Sequence, residues 1–138
     1  MGAEGGTPHR VGLVVNPIAG MGGRVGLKGT DDVADRARAL GALPVAPGRA
    51  REMLLALRAL LERRRDGVAI HWLTAAGPMG EAALRDAGFD DVEVTCEASV
   101  PTRSDDTVRA VEGFVAAGAE LILFCGGDGT ARDVSRAT

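Results

Sequence analysis

Two short apolar runs, RVGLVV at 10–15 and LILFC at 121–125, each stop at a loop crowded with glycine. Runs of this length suit strands buried in a sheet. The first ends at Asn16-Pro17, where proline has no N–H to continue a ladder. Between them the apolar spacing switches repeatedly between helical and extended. Val33, Ala34, Ala37 and Leu40 fall on one helical face, capped by Thr30 or Asp31 and closed by Gly41. The stretch 49–65 (RAREMLLALRALLERRR) is the clearest helix. Met53, Leu54, Leu57, Leu60 and Leu61 make a broad apolar face, and Arg63, Arg64 and Arg65 suit the negative end of the dipole. Further helices are expected over 78–87, from Thr102 or Ser104 through Val108, Val111, Phe114 and Val115 to Gly118, and over 130–137. VAIHWLT (68–74) and VEVT (92–95) supply the intervening strands.

Alternation of strand and helix with short connections predicts an α/β fold, a parallel sheet with helices on both faces. LILFC, apolar throughout, is expected as a central strand buried on both sides. The 138 residues fit one domain, read as a loose tail over 1–9 and an α/β unit over 10–138. The last helix opens a βα unit whose next strand does not follow, so the chain is expected to be a piece of a longer protein.

Nineteen acidic residues against sixteen basic ones give a net charge of −3, and Lys28 is the only lysine. A nucleic-acid or membrane-surface binder needs a concentrated basic face, and none stands out. A small anionic ligand at one local site remains compatible. Cys96 and Cys125 are too few for a disulfide scaffold and lack metal-ligand spacing. With no signal-like or membrane-spanning apolar stretch, a reducing cytoplasm is the expected compartment.

Glycine is in excess, twenty residues, about twice the usual ~7%. Eight stand in the two loops: Gly20, Gly22, Gly23, Gly26 and Gly29, then Gly126, Gly127 and Gly129. Such clusters point to unusual dihedrals or to a backbone lying close to a ligand. Both loops follow strands, and open α/β sheets hold their ligands at the carboxyl ends of strands. In Gly126-Gly127-Asp128-Gly129-Thr130, the glycines expose N–H groups and Thr130 can cap the next helix, which makes an anion site suited to phosphate. Asp128 places a carboxylate where anions would bind, which makes chemical sense if it holds a cation or takes a proton. The same five residues also serve as a plain tight turn and helix cap. In the first loop Arg24 can grip a phosphate and Lys28 can reach one as a point charge, or both are solvated. Asn16 reads as a brace for the loop and stands with the nucleotide-binding candidates.

NPIAGMGGRVGLKGTD together with LILFCGGDGTARDV resembles the ATP-NAD kinase family, closest to its archaeal-type and AcoX-like branch. The GGDGT loop alone is also similar to diacylglycerol and sphingosine kinases. The resemblance implies a two-domain kinase whose α/β domain is present here, while a β-rich C-terminal domain closes the cleft. It implies transfer of the γ-phosphoryl group of ATP, or of polyphosphate, to the 2′-hydroxyl of NAD with Mg²⁺. Asp128 then acts near the accepting hydroxyl, and Gly126, Gly127 and Gly129 line the phosphate path. The expected partners are small-molecule nucleotides, without nucleic acid or membrane, and the full-length protein is expected to be a homo-oligomer. Without the closing domain the isolated piece is expected to be a poor kinase. The alternatives are a lipid or small-alcohol kinase and a nonenzymatic nucleotide-binding regulator.

Other residues draw plainer readings. His71 is expected to be packed or edge-bonded, Cys125 to belong to the core, and Asp105 and Asp106 to stabilise a helix start or to reach the crevice.

Overall fold

The computed structural model describes residues 7–17, 46–64, 67–97 and 104–138. The helix expected near 31–40 and the first glycine loop from Gly20 to Gly29 lie outside the described residues. In chain order come β1 (His9–Val15), α1 (Ala46–Arg63), β2 (Ile70–Ala75), a 3₁₀ turn (Gly77–Met79), α2 (Glu81–Asp86), β3 (Val92–Cys96), α3 (Ser104–Ala116), β4 (Leu121–Cys125) and α4 (Asp128–Ala137). The strands form one parallel sheet in the order β3-β2-β1-β4.

Period-2 alternation in β1 divides the core. Val11, Leu13 and Val15 face one layer with Trp72, and Ala50 and Leu54 of α1 and Leu84 of α2 close over them. Val14 faces the other side with Leu73, beneath Ala110, Val111 and Phe114 of α3 and Val134 of α4. Helices therefore cover both faces, as the alternating pattern predicts. Gly12 is the thin point of β1: an added Cβ would lie 2.5 Å from Cδ2 of the fully buried Phe114. The ring sits directly on the strand backbone.

Several boundaries differ from expectation for local reasons. His9, read as tail, opens β1 with its N–H on the Ala69 carbonyl at 2.9 Å. α1 begins at Ala46, with Pro47 in the first turn, where a missing N–H costs no helical bond. Leu60 was expected on the apolar face of α1 but is 55% exposed, whereas Leu54 is buried. The helix expected over 78–87 is broken at Gly80, whose φ of +147° is foreign to a helix. Gly80 bridges Ala75 instead and packs on Thr74.

The largest correction concerns β4. Among the described strands LILFC stands at the sheet edge rather than the centre, paired with β1, and Leu121 and Phe124 are 55% and 39% exposed. An apolar run reports burial tendency, not place in the strand order, and β1 holds the interior position between β2 and β4.

Candidate functional site

The carboxyl ends of β1 and β4 lie side by side. Val15 and Cys125 are register partners, and the Asn16 N–H donates to the Cys125 carbonyl at 2.9 Å. Asn16-Pro17 and Gly126-Gly127 therefore leave the sheet from neighbouring points on one edge, where ligands bind in open α/β sheets. Of the first-loop candidates, Gly20, Gly22, Gly23, Arg24 and Lys28 lie outside the described residues; Asn16 is described.

α4 starts two residues before the expected cap. Gly127 precedes the first turn with extended backbone, Asp128 leads the helix, and the Ala131 N–H reaches the Gly127 carbonyl at 3.0 Å. Thr130 is not the cap. It is the third helical residue, 3% exposed, and its Oγ1 accepts a 3.1 Å hydrogen bond from Asn16 Nδ2. A start at Asp128 places a carboxylate in the first turn, where the helix dipole favours negative charge, and turns Thr130 inward.

The three glycines of this loop have different reasons to be there. An alanine Cβ at Gly126 would stand 2.2 Å from Thr130 Oγ1 and 2.7 Å from its Cγ2, so the threonine side chain occupies the space that Gly126 vacates. Gly127 and Gly129 have no atom of the described residues within 4 Å of an added Cβ. Neither has the positive φ that would demand glycine. Gly127 is the N-cap of α4, a position that favours glycine, whereas Gly129 lies inside the helix, where glycine costs ~1 kcal/mol relative to alanine and neither conformation nor packing calls for it. What their absence of side chain does provide is bare backbone beside exposed Asp128, at a helix end whose first N–H groups have no intrahelical acceptor.

That surface fits a phosphate group, which needs close approach to backbone N–H donors. Among the described residues no three His, Cys, Asp or Glu side chains gather to hold a metal.

The remaining candidates fall away from this edge or into structural roles. Burial pushes the half-buried Cys125 thiol up, which keeps it protonated and core-like. Asp106 is fully buried and bonded to Arg109 one turn on, while Asp105 is exposed in the first turn of α3. His71 bonds Asp91 and Glu93 near the amino end of β2, far along the strand from the carboxyl edge. The link that sequence reasoning missed is Asn16 to Thr130, 114 residues apart, for which no spacing signal exists.

A family model for the ATP-NAD kinase N-terminal domain matches residues 11–138. The chain belongs to this family. No curated protein and no solved structure matches the chain. For this ATP-NAD kinase N-terminal domain, the matched region takes in all of α4, the bare backbone at Gly127 and Gly129, and the Asn16–Thr130 link. Among the described residues no helix is long and apolar enough to cross a membrane.

Proposed function

We propose that the protein transfers the γ-phosphoryl group of ATP to the 2′-hydroxyl of NAD, with this domain supplying the phosphate mouth and the base. The supporting observation is the pairing of bare backbone with an exposed carboxylate: Gly127 and Gly129 stand without side chains on either side of Asp128. Gly127 also serves as the N-cap of α4, but a turn and helix start alone would have no use for Gly129.

In this reading the first-turn N–H groups of α4 bind and orient phosphate oxygens. Asp128 accepts the proton of the ribose hydroxyl as its oxygen bonds to phosphorus, while the bond from the γ-phosphorus to the bridging oxygen of ADP breaks. Most of the acceleration comes from positioning and charge neutralisation, because little covalent work falls to the protein in phosphoryl transfer. Bound magnesium would supply part of that neutralisation. Gly20, Gly22, Gly23, Arg24 and Lys28, outside the described residues, are assigned to nucleotide binding in the same reading, with a cleft-closing C-terminal domain completing the site. The archaeal-type and AcoX-like branch, a cytoplasmic setting and a homo-oligomeric full-length protein belong to the same reading.

The test is a substrate panel on the full-length protein: ATP or polyphosphate as donor, with NAD, diacylglycerol, sphingosine and small alcohols as acceptors. The reading expects NADP as the product. Phosphorylation of a lipid or another alcohol in place of NAD would move the assignment to the related kinases. Nucleotide binding without any turnover would move it to a regulator.

A further inference from the structure

We propose that Asn16 is a positioning residue for phosphoryl transfer, fixing the rotation of α4 through Thr130 so that Asp128 points at the accepting hydroxyl; this rests on Asp128 acting as the base. In sequence, Asn16 reads as a brace for its own loop and a nucleotide-binding candidate, and Thr130 as a helix cap; the hydrogen bond between them gives the pair a different task.

The geometry forms a short chain of contacts. The backbone of Asn16 is tied to the end of β4 by its N–H on the Cys125 carbonyl. Its side-chain amide then crosses to Thr130 Oγ1 at 3.1 Å. Thr130 is buried, and its Cβ, Oγ1 and Cγ2 lie within 2.7 Å of the place where a side chain at 126 would begin. Strand end, diglycine turn and first helical turn are thus clamped at one point. Asp128 stands two residues before Thr130 on the same turn, with its own side chain exposed. A fixed first turn sets where the Cα–Cβ bond of Asp128 leaves the helix and so limits the carboxylate to the few places its staggered rotamers reach.

The size of the expected effect follows from how steeply rate depends on placement. Misplacing a reacting group by about 1 Å costs about 10²-fold in rate. A carboxylate several ångströms off the helix axis moves that far when the first turn rotates by roughly 10–20°, the tolerance to which such groups must be held. The hydrogen bond between Asn16 and Thr130 is the polar half of that restraint, and on this proposal it sets the tolerance that the packing of Thr130 on Gly126 leaves open.

The experiment is a mutant cycle on the full-length protein, with NADP formation as the readout and thermal melting in parallel. Asn16→Ala should lower kcat by about 10- to 100-fold, with the KM values for ATP and NAD changed less than twofold. Thr130→Val, which keeps shape and removes the acceptor, should match it and serves if Asn16→Ala does not fold. Thr130→Ser keeps the oxygen and should retain most activity. The deciding comparison is Asn16→Ala added to Asp128→Asn. Its further cost should vanish, because a residue acting through Asp128 has nothing left to position. A multiplicative loss in the double variant, a large rise in KM, or a lowered melting temperature with normal kcat per folded molecule would each overturn the proposal. If Asp128→Asn itself keeps full kcat, it is the reading of Asp128 as base that fails, and the two failures are thereby told apart.

Discussion

His71 Nε2 and Glu93 Oε1 lie 2.8 Å apart across neighbouring strands, and the other ring nitrogen of His71 is 2.7 Å from Asp91. The two carboxylates, Glu93 first and Asp91 second, raise the histidine above its ordinary 6.5, and burial opposes them only in part. Arg10 stands 3.9 Å from Glu93 on the far side, so the row is mixed in sign. A raised folded value means that the contribution of His71 to stability is complete below 6.5 and is lost as pH rises through the raised value. Thermal melting from pH 6 upward should therefore show a decline that His71→Gln flattens. An unchanged slope in that variant would remove His71 as its source.

The ring of Phe114 on Gly12 makes a second prediction. Gly12→Ala puts a methyl 2.5 Å from Cδ2 of a fully buried ring, and overpacking of this kind costs about 1–3 kcal/mol. Shrinking the neighbour should relieve it: in denaturant titrations Gly12→Ala combined with Phe114→Leu should cost less than the sum of the two changes. Strict additivity would show that the strand and α3 move apart freely.

Strands and most helices were legible because periodicity and punctuation are local. The apolar run of 121–125 is the strand β4 residue for residue, and Gly118 closes the turn before it with a φ of +83°. Strand order was not legible, since LILFC would read the same at the centre or the edge. The break at Gly80 was hidden because Pro78 is compatible with a helix start, and only contact with Thr74 and Leu13 shows why the chain turns there. At the site, Gly126-Gly127-Asp128 was conspicuous in sequence. The inward turn of Thr130 was not, because its partner Asn16 arrives from the other end of the chain.

Gly129 separates stability from function. With no described atom within 4 Å of an added Cβ, Gly129→Ala should stabilise α4 by roughly 0.5–1 kcal/mol. In the proposed function the same methyl would stand in the path of a phosphate toward the backbone. Melting temperature should rise while KM for ATP rises as well, measured on the full-length protein. A rise in both stability and ATP affinity would place the phosphate elsewhere.

The most direct test of the phosphoryl-transfer account is kcat for NADP formation by Asp128→Asn in the full-length protein at saturating ATP and NAD. The change nearly preserves volume while removing the charge and most of the basicity. General-base catalysis contributes about 10²–10⁴-fold, and the account predicts a fall of that size with the melting temperature little changed and no recovery in excess magnesium. A lower melting temperature with normal kcat per folded molecule would contradict it, leaving Asp128 a first-turn acid of α4 and nothing more.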